Sequence, residues 1–600
     1  MPLIVWIVTV LADQVTPYPL PVGDTASSVY SVTVNGTSVP VSNSRDASYA
    51  HFAFTGTARV VVTVSQAVNS YRLSPAAADV VPHARGSTIE WTLNRPRKLI
   101  LHHVNGLAEK LCILAEPPEE DPPRAGDPGV VVLGGVDATG ATDVSAGLQA
   151  ALDSVPAGGT LCIPAGRYGF TTLQMRTGRN VYLAPGSALV ASGTGASPGP
   201  TAQVSFTGVT DVTVSGRGVI DGRGYALRKA VNGREEGRSL ISVAHGATSS
   251  RVNLSGILVR NPPVYSCIVF NTVDWRFSNV KFITDADFAN RDGIAPHNSR
   301  RLIVDDCFFL TSDDCFVVST TRPDIDLDAV VKNCVMYNSF SGAFIRHGPW
   351  IGDNTRGFTA ENIDMIQGCE KAGNEAAIAF YAGGALRDVR YRNIRVEDPR
   401  GRLIYMVTDW KDHYAGVQRG SVSGVVFERL TCDGKGLVHL KGAGPSESIG
   451  QVAFMDFTYR GKAVLGPKDC DFAASGAVKD VTFVAGSSPV VSLSTSSLDV
   501  DSRTPAEVMV TRSTTTAMPL TVGLRVRGTA KAGIHYAALP ASVTIPANER
   551  SARLTVQARG APLPGGRATI LVDLDHSRSR DYMLGSEYRV QLTLVDQRTE

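Results

Sequence analysis

Charge of one sign is what this 600-residue chain lacks first: 58 Lys and Arg stand against 56 Asp and Glu, a formal net charge of +2. Without a basic excess the chain does not read as a nucleic-acid binder, and nothing in the balance calls for an acidic polymer as partner. Helical periodicity is scarce, which excludes a bundle or an α-solenoid. No CxxC or HExxH spacing occurs, so a structural zinc site is not expected, and no cofactor motif stands out. Long apolar runs are missing too. Leu3-Ile4-Val5-Trp6-Ile7-Val8 is too short to span a bilayer and lacks the basic flank of a signal peptide; it reads as a trimmed signal remnant or an N-terminal strand. The nine cysteines are an odd number and cannot all pair. Most are expected to be reduced core thiols, because Cys307 and Cys334 occupy equivalent repeat positions where a thiol behaves as a small hydrophobe.

What is present is β-structure. Glycine (58) and proline (33) punctuate Val/Thr/Ser-rich runs, and the length requires several domains. Residues 1–120 alternate as a sandwich would, with Ser31-Val32-Thr33-Val34 running into the Asn35-Gly36 turn and Ala58–Val64 following. Glu116-Pro117-Pro118-Glu119-Glu120-Asp121-Pro122-Pro123 reads as a linker. One helix is expected over Asp143–Leu152, with Asp143 or Ser145 as its N-cap. From 487 to 600 a separate small sandwich is expected.

Between them, over 125–485, the chain repeats. Asn279-Val280-Lys281-Phe282, Asp306-Cys307-Phe308-Phe309, Asn333-Cys334-Val335-Met336, Asn362-Ile363-Asp364-Met365 and Asn393-Ile394-Arg395-Val396 recur every 27 to 31 residues. A second series is interleaved with them: Ser266–Val269, Asp292–Ile294, Asp314–Val317, Ala343–Ile345 and Ala377–Ala379. Two strand series at coil spacing imply stacked rungs that bury their apolar sides only against neighbours, a parallel β-helix. On that repeat Asp292 lies 21 and 22 residues before Asp313 and Asp314, the contour of one coil. The three carboxylates then sit on adjacent rungs about 4.8 Å apart. Gathered that closely they cannot all ionise freely, and an acid beside two bases is what glycoside hydrolysis requires.

Gly216-Arg217-Gly218-Val219-Ile220-Asp221-Gly222, the Asn290-Arg291-Asp292-Gly293-Ile294 motif and Asp313-Asp314-Cys315 resemble the polygalacturonase family, which shares a clan with the dextranase/isopullulanase family. The resemblance covers roughly residues 130–470. It implies a right-handed parallel β-helix flanked by the two sandwiches, and an inverting hydrolase of a poly- or oligosaccharide that needs no metal. By the same resemblance Asp313 is the general acid, Asp292 and Asp314 activate water, and His347, in Arg346-His347-Gly348, supports the acid. Asp313 is then the carboxyl expected to keep its proton. A secreted or cell-surface location follows from that function rather than from the N-terminal segment.

Two departures bear on substrate. Arg291 stands where the family has threonine, and the strand expected to carry an Arg-Ile-Lys motif reads Ile378-Ala379-Phe380-Tyr381, without a cation. A neutral polymer (dextran-, glucan- or arabinan-like) is therefore expected. The alternatives are a polygalacturonase-type pectin hydrolase, a lyase, or a non-catalytic glycan-binding β-helix. Arg291, Arg346, Trp350, Tyr381, Tyr405 and Trp410 are the candidate substrate-binding residues. The C-terminal stretch Gly528–Ala547 is similar to Calx-β modules. Asp499 and Asp501 are its only suitable calcium ligands, so a plain spacer or adhesion role is preferred.

Overall fold

The computed structural model describes residues 14–596 apart from 46, 77–79, 193–201, 231–238, 285–287, 369–375, 413–415, 496–497, 502–504, 564–565 and 576–580. The Leu3–Val8 segment lies outside the described residues.

The repeating region is a parallel β-helix. One long sheet runs from Val130–Val132 to Val481–Val484, and an 11-stranded sheet from Leu173–Gln174 to Phe472–Gly476 faces the other way. Its coils close because the Asn-apolar motif turns the chain sharply. Asn279, Asp306, Asn333, Asn362 and Asn393 all have φ between 50 and 58°, the left-handed region that Asn and Asp tolerate best. Their amides also stack: Asn393 Nδ2 donates to Asn362 Oδ1 at 3.4 Å, and Asn362 Nδ2 to Asn333 Oδ1 at 2.7 Å. Inside, like residues pile on like. The Tyr391, Phe427, Phe454 and Phe483 rings follow one another at 5.0–5.2 Å, one ring per rung. Cys307 and Cys334 are buried in this core, and the described cysteines are unpaired thiols.

The N-terminal segment forms a five-stranded and a six-stranded sheet. Tyr30–Val34 and Thr37–Val39 pair antiparallel around Asn35-Gly36, both with positive φ, as a tight hairpin demands. Its outer face, with Tyr49, Ile100 and Leu114, packs on Leu258, Ile283 and Phe308 of the helix. The 116–123 stretch is therefore no loose linker. Glu116 ends a strand and is fully buried, with Lys281 Nζ at 2.5 Å and Arg217 Nε at 2.6 Å. The helix following it is Ser145–Ser154; Val144 is its N-cap, and Asp143 Oδ1 instead accepts the Ser145 N–H at 2.8 Å. The C-terminal segment forms a four- and a five-stranded sheet around its own core. It docks through Arg589, whose guanidinium reaches Asp306 at 2.7 Å and Asp573 at 2.6 Å. Asp499 there lies 3.8 Å from Arg567 Nη2. The contacts named here use the long sheet and leave the outer face of the 11-stranded sheet to the site.

Candidate active site

Asp292 and Asp314 precede neighbouring strands of the 11-stranded sheet, Ile294–His297 and Phe316–Val318. Ile294 pairs with Phe316 and the Gly293 N–H donates to the Asp314 carbonyl at 2.9 Å, so Asp292 and Asp314 stand one rung apart with Asp313 beside them. All three are nearly enclosed, at 5, 7 and 1% exposure for Asp292, Asp313 and Asp314.

Each carboxylate is held differently. Asp314 accepts the Ala343 N–H at 2.6 Å on one oxygen and Arg346 Nη1 at 3.0 Å on the other. Asp313 accepts two backbone N–H groups, from Asn290 at 2.7 Å and Asp314 at 2.9 Å. Its own carbonyl is pinned by Thr311 Oγ1 at 2.6 Å and Asn338 Nδ2 at 2.9 Å. Burial pushes Asp292 well above the usual carboxylate range; Asp313 and Asp314 add to this and Arg346 opposes it. Burial also raises Asp314, against Arg346 and the Ala343 N–H. Such groups titrate as a set rather than one by one. Burial beside two like charges favours the protonated form of Asp292.

Two neighbours escape sequence reasoning. Tyr265 falls one rung before Asp292, since Cys267 pairs with Ile294; its phenol is raised, first by the Asp292 charge and then by burial. Gly342, at φ +82°, presses its bare Cα against the carboxylates. A Cβ there would lie 2.5 Å from Asp314 N and 2.8 Å from Asp314 Oδ1, and closer still to Asp313 Oδ1. The rung-to-rung register could have found Tyr265, whereas a missing side chain leaves no signal.

His347 and Arg291 are corrected. In the strand Ile345–His347 the side chains alternate, so Arg346 points out and His347 points into the core. The imidazole is fully buried, stacked on Phe380 at 4.5 Å and bonded to Tyr391 Oη at 2.7 Å; burial lowers it to about 3, so it is neutral. Arg346, not His347, meets the acid pair. Arg291 is also fully enclosed, its guanidinium 4.9 Å from the Phe288 ring, and does not present itself to a ligand.

The remaining candidates separate into two groups. Arg346 lies 5.4 Å over the Tyr381 ring, which meets Trp410 at 4.4 Å and Tyr405 at 5.9 Å. Trp350 stands apart, 6.0 Å from His297, which stacks on Phe270 at 4.7 Å. Among the described residues no group of three or more His, Cys, Asp or Glu is arranged to hold a metal ion.

The fold and the site together are a parallel β-helix with three clustered aspartates on one face. The model of glycosyl hydrolases family 28 matches residues 155–433, within the helical region. This region is similar to a polygalacturonase of Chamaecyparis obtusa (26% identical over 134 residues, 21% of this chain and 26% of the relative). It is also similar to a polygalacturonase of Juniperus ashei (30% over 132 residues, 20% and 25%). The chain thus spans about a quarter of the length of each of these two relatives. Among solved structures, the family 28 exopolygalacturonase of Yersinia enterocolitica aligns over 71% of this chain and 96% of its own, at 16% identity and a TM-score of 0.45. The neutral-glycan expectation gains no support from the two relatives, both named polygalacturonase. It rested on one cation-free strand, Ala376–Tyr381, whereas the ladder brings a cation from each side: Arg346 pairs with Ala379, and Ala376 with Arg402.

Proposed function

We propose that the chain hydrolyses glycosidic bonds of a pectin-type, uronate-containing polysaccharide with inversion. The observation that carries this reading is the enclosed cluster of Asp292, Asp313 and Asp314 with Arg346 bonded to one of them. One proton shared over three carboxylates supplies an acid and a base in the same site. In this mechanism Asp313, the most exposed of the three, protonates the departing glycosidic oxygen, which draws the shared proton from Asp292. Asp292 and Asp314 then orient and deprotonate a water on the opposite side of the sugar. Inverting enzymes keep acid and base about 6.5–9.5 Å apart to admit that water, and one rung step plus the offset of two side chains is compatible with it. Arg346 favours the ionised form of Asp314 against its burial and places positive charge where a sugar carboxylate would approach. A polymer of this kind is met outside the cell, so the proposal includes secretion.

The test is release of new reducing ends from a panel of galacturonan, methyl-esterified pectin, dextran, pullulan and arabinan. Release is expected from galacturonan or pectin, with Asp313→Asn lowering it by about 10²-fold or more. Release from a neutral glucan alone, or undiminished turnover by Asp313→Asn, would overturn the proposal.

A further inference from the structure

Arg402 sits on the rung ladder that begins at Asp292. The Cys315 N–H bonds the Ala343 carbonyl, Phe344 that of Ala377, and Ala376 pairs with Arg402. Asp314, Ala343, Ala376 and Arg402 therefore follow one another over three steps, roughly 14 Å. The two alanines between them carry nothing beyond Cβ, and with Ala379, Tyr381 and Tyr405 they form an apolar patch.

The far end of this row differs from its neighbourhood. Neighbouring arginines are committed to carboxylates: Arg346 to Asp314, Arg392 to Glu428, Arg395 to Asp364 and Arg400 to Asp398. Arg402 instead lies 4.2 Å over the face of Tyr405. Its Nη1 is buried and meets no hydrogen-bond acceptor among the described residues. His439, whose ring lies 5.3 Å from that of Tyr405, also buries a nitrogen, Nδ1, without a partner among the described residues, and so does Trp410 with Nε1. A buried donor left unmade is expensive. Two such donors, with an imidazole nitrogen that can donate in one tautomer, in one strip of aromatic rings describe a surface that a ligand with acceptor oxygens completes. The planar, weakly hydrated guanidinium matches a carboxylate best, and aromatic faces suit the sugar ring that bears it.

We propose that Arg402, with Tyr405, His439 and Trp410, forms a subsite that reads a sugar-ring carboxylate three rungs from the catalytic aspartates. The proposal rests on the uronate reading of the same cleft and deepens it. The cation absent from the Ala376–Tyr381 strand is thereby supplied from the next one, Gly401–Val407, at a distance that spans several sugar rings.

Binding to the Asp313→Asn protein tests the subsite without turnover. Calorimetry would compare a galacturonate hexamer with its methyl ester on D313N and on the D313N/R402Q double variant. The acid hexamer is expected to lose about tenfold to a hundredfold in affinity when Arg402 becomes Gln, the range of one charge-assisted pair. The methyl ester is expected to bind both proteins alike. Equal affinity of the acid hexamer for both proteins, an equal loss with the ester, or no binding of the hexamer to D313N would overturn the subsite. The two readings fail separately. A wild-type chain that cuts galacturonan while R402Q changes nothing sinks only the subsite. Arg402-dependent binding with no cleavage by the wild type sinks only the hydrolase.

Discussion

Gly342→Ala is the perturbation whose outcome follows most directly from the geometry. The residue has φ +82°, and its added Cβ would stand 2.5 Å from Asp314 N and 2.8 Å from Asp314 Oδ1. Ordinary van der Waals contact begins near 3.4 Å, so the Asp313–Asp314 turn must retreat by about 1 Å. A misplacement of that size at a reacting group lowers the rate by about 10²-fold. The left-handed backbone adds about 1–2 kcal/mol of strain to any residue with a Cβ, a penalty of stability and not of chemistry. Gly246→Ala separates the two, because Gly246 has the same φ, +82°, and a Cβ added there would meet nothing within 4 Å. Both variants should unfold slightly earlier by circular dichroism. Only Gly342→Ala should lose kcat for reducing-end release, with KM little changed. A folded Gly342→Ala protein with kcat within threefold of wild type would refute the placement of Gly342 against the acid.

Three further outcomes are expected. His347→Phe should keep kcat and its pH profile, because a neutral core imidazole takes no part in the chemistry, while stability falls by about 1–3 kcal/mol as Tyr391 Oη loses its partner; a hundredfold loss of kcat in a folded variant would contradict this. Glu116→Ala leaves Lys281 and Arg217 buried without their shared carboxylate, since burial already holds the adjacent His51 neutral with its value lowered to about 4. The loss should be about 3–5 kcal/mol in a urea titration, and a change below 1 kcal/mol would count against the buried network. Asp292→Asn should inactivate the site yet stabilise the fold at pH 7. A carboxyl raised by folding destabilises progressively as pH climbs above its unfolded value near 4. The gain should therefore shrink towards pH 3, and thermal unfolding at the two pH values measures it; a gain that is larger at pH 3 would reverse the sign of the argument.

The coil was legible because its cause is local. Asn or Asp at a left-handed turn followed by inward apolar residues repeats over five successive rungs, so Asn279, Asn333, Asn362 and Asn393 could be read one by one. The aspartates were legible for the same reason, as spacing alone puts Asp292 beside Asp314. Faces were harder. In Ile345-Arg346-His347 a shift of one residue exchanges cleft for core, and motif resemblance chose His347 where strand alternation turns it inward. Contacts far apart in sequence were not legible at all: Glu116 looked like the start of a linker until Lys281, 165 residues on, was found against it. The cation search failed similarly, because it followed one strand while Arg346 and Arg402 flank it from the rungs on either side.

The most direct measurement of the central claim is the anomeric configuration of the first products. Proton NMR of galacturonan, recorded as the wild-type protein acts and before mutarotation, should show new reducing ends appearing first as the β-anomer from α-linked substrate. First appearance of the α-anomer, an unsaturated end, or no product from any galacturonan or pectin would contradict inverting hydrolysis by Asp292, Asp313 and Asp314.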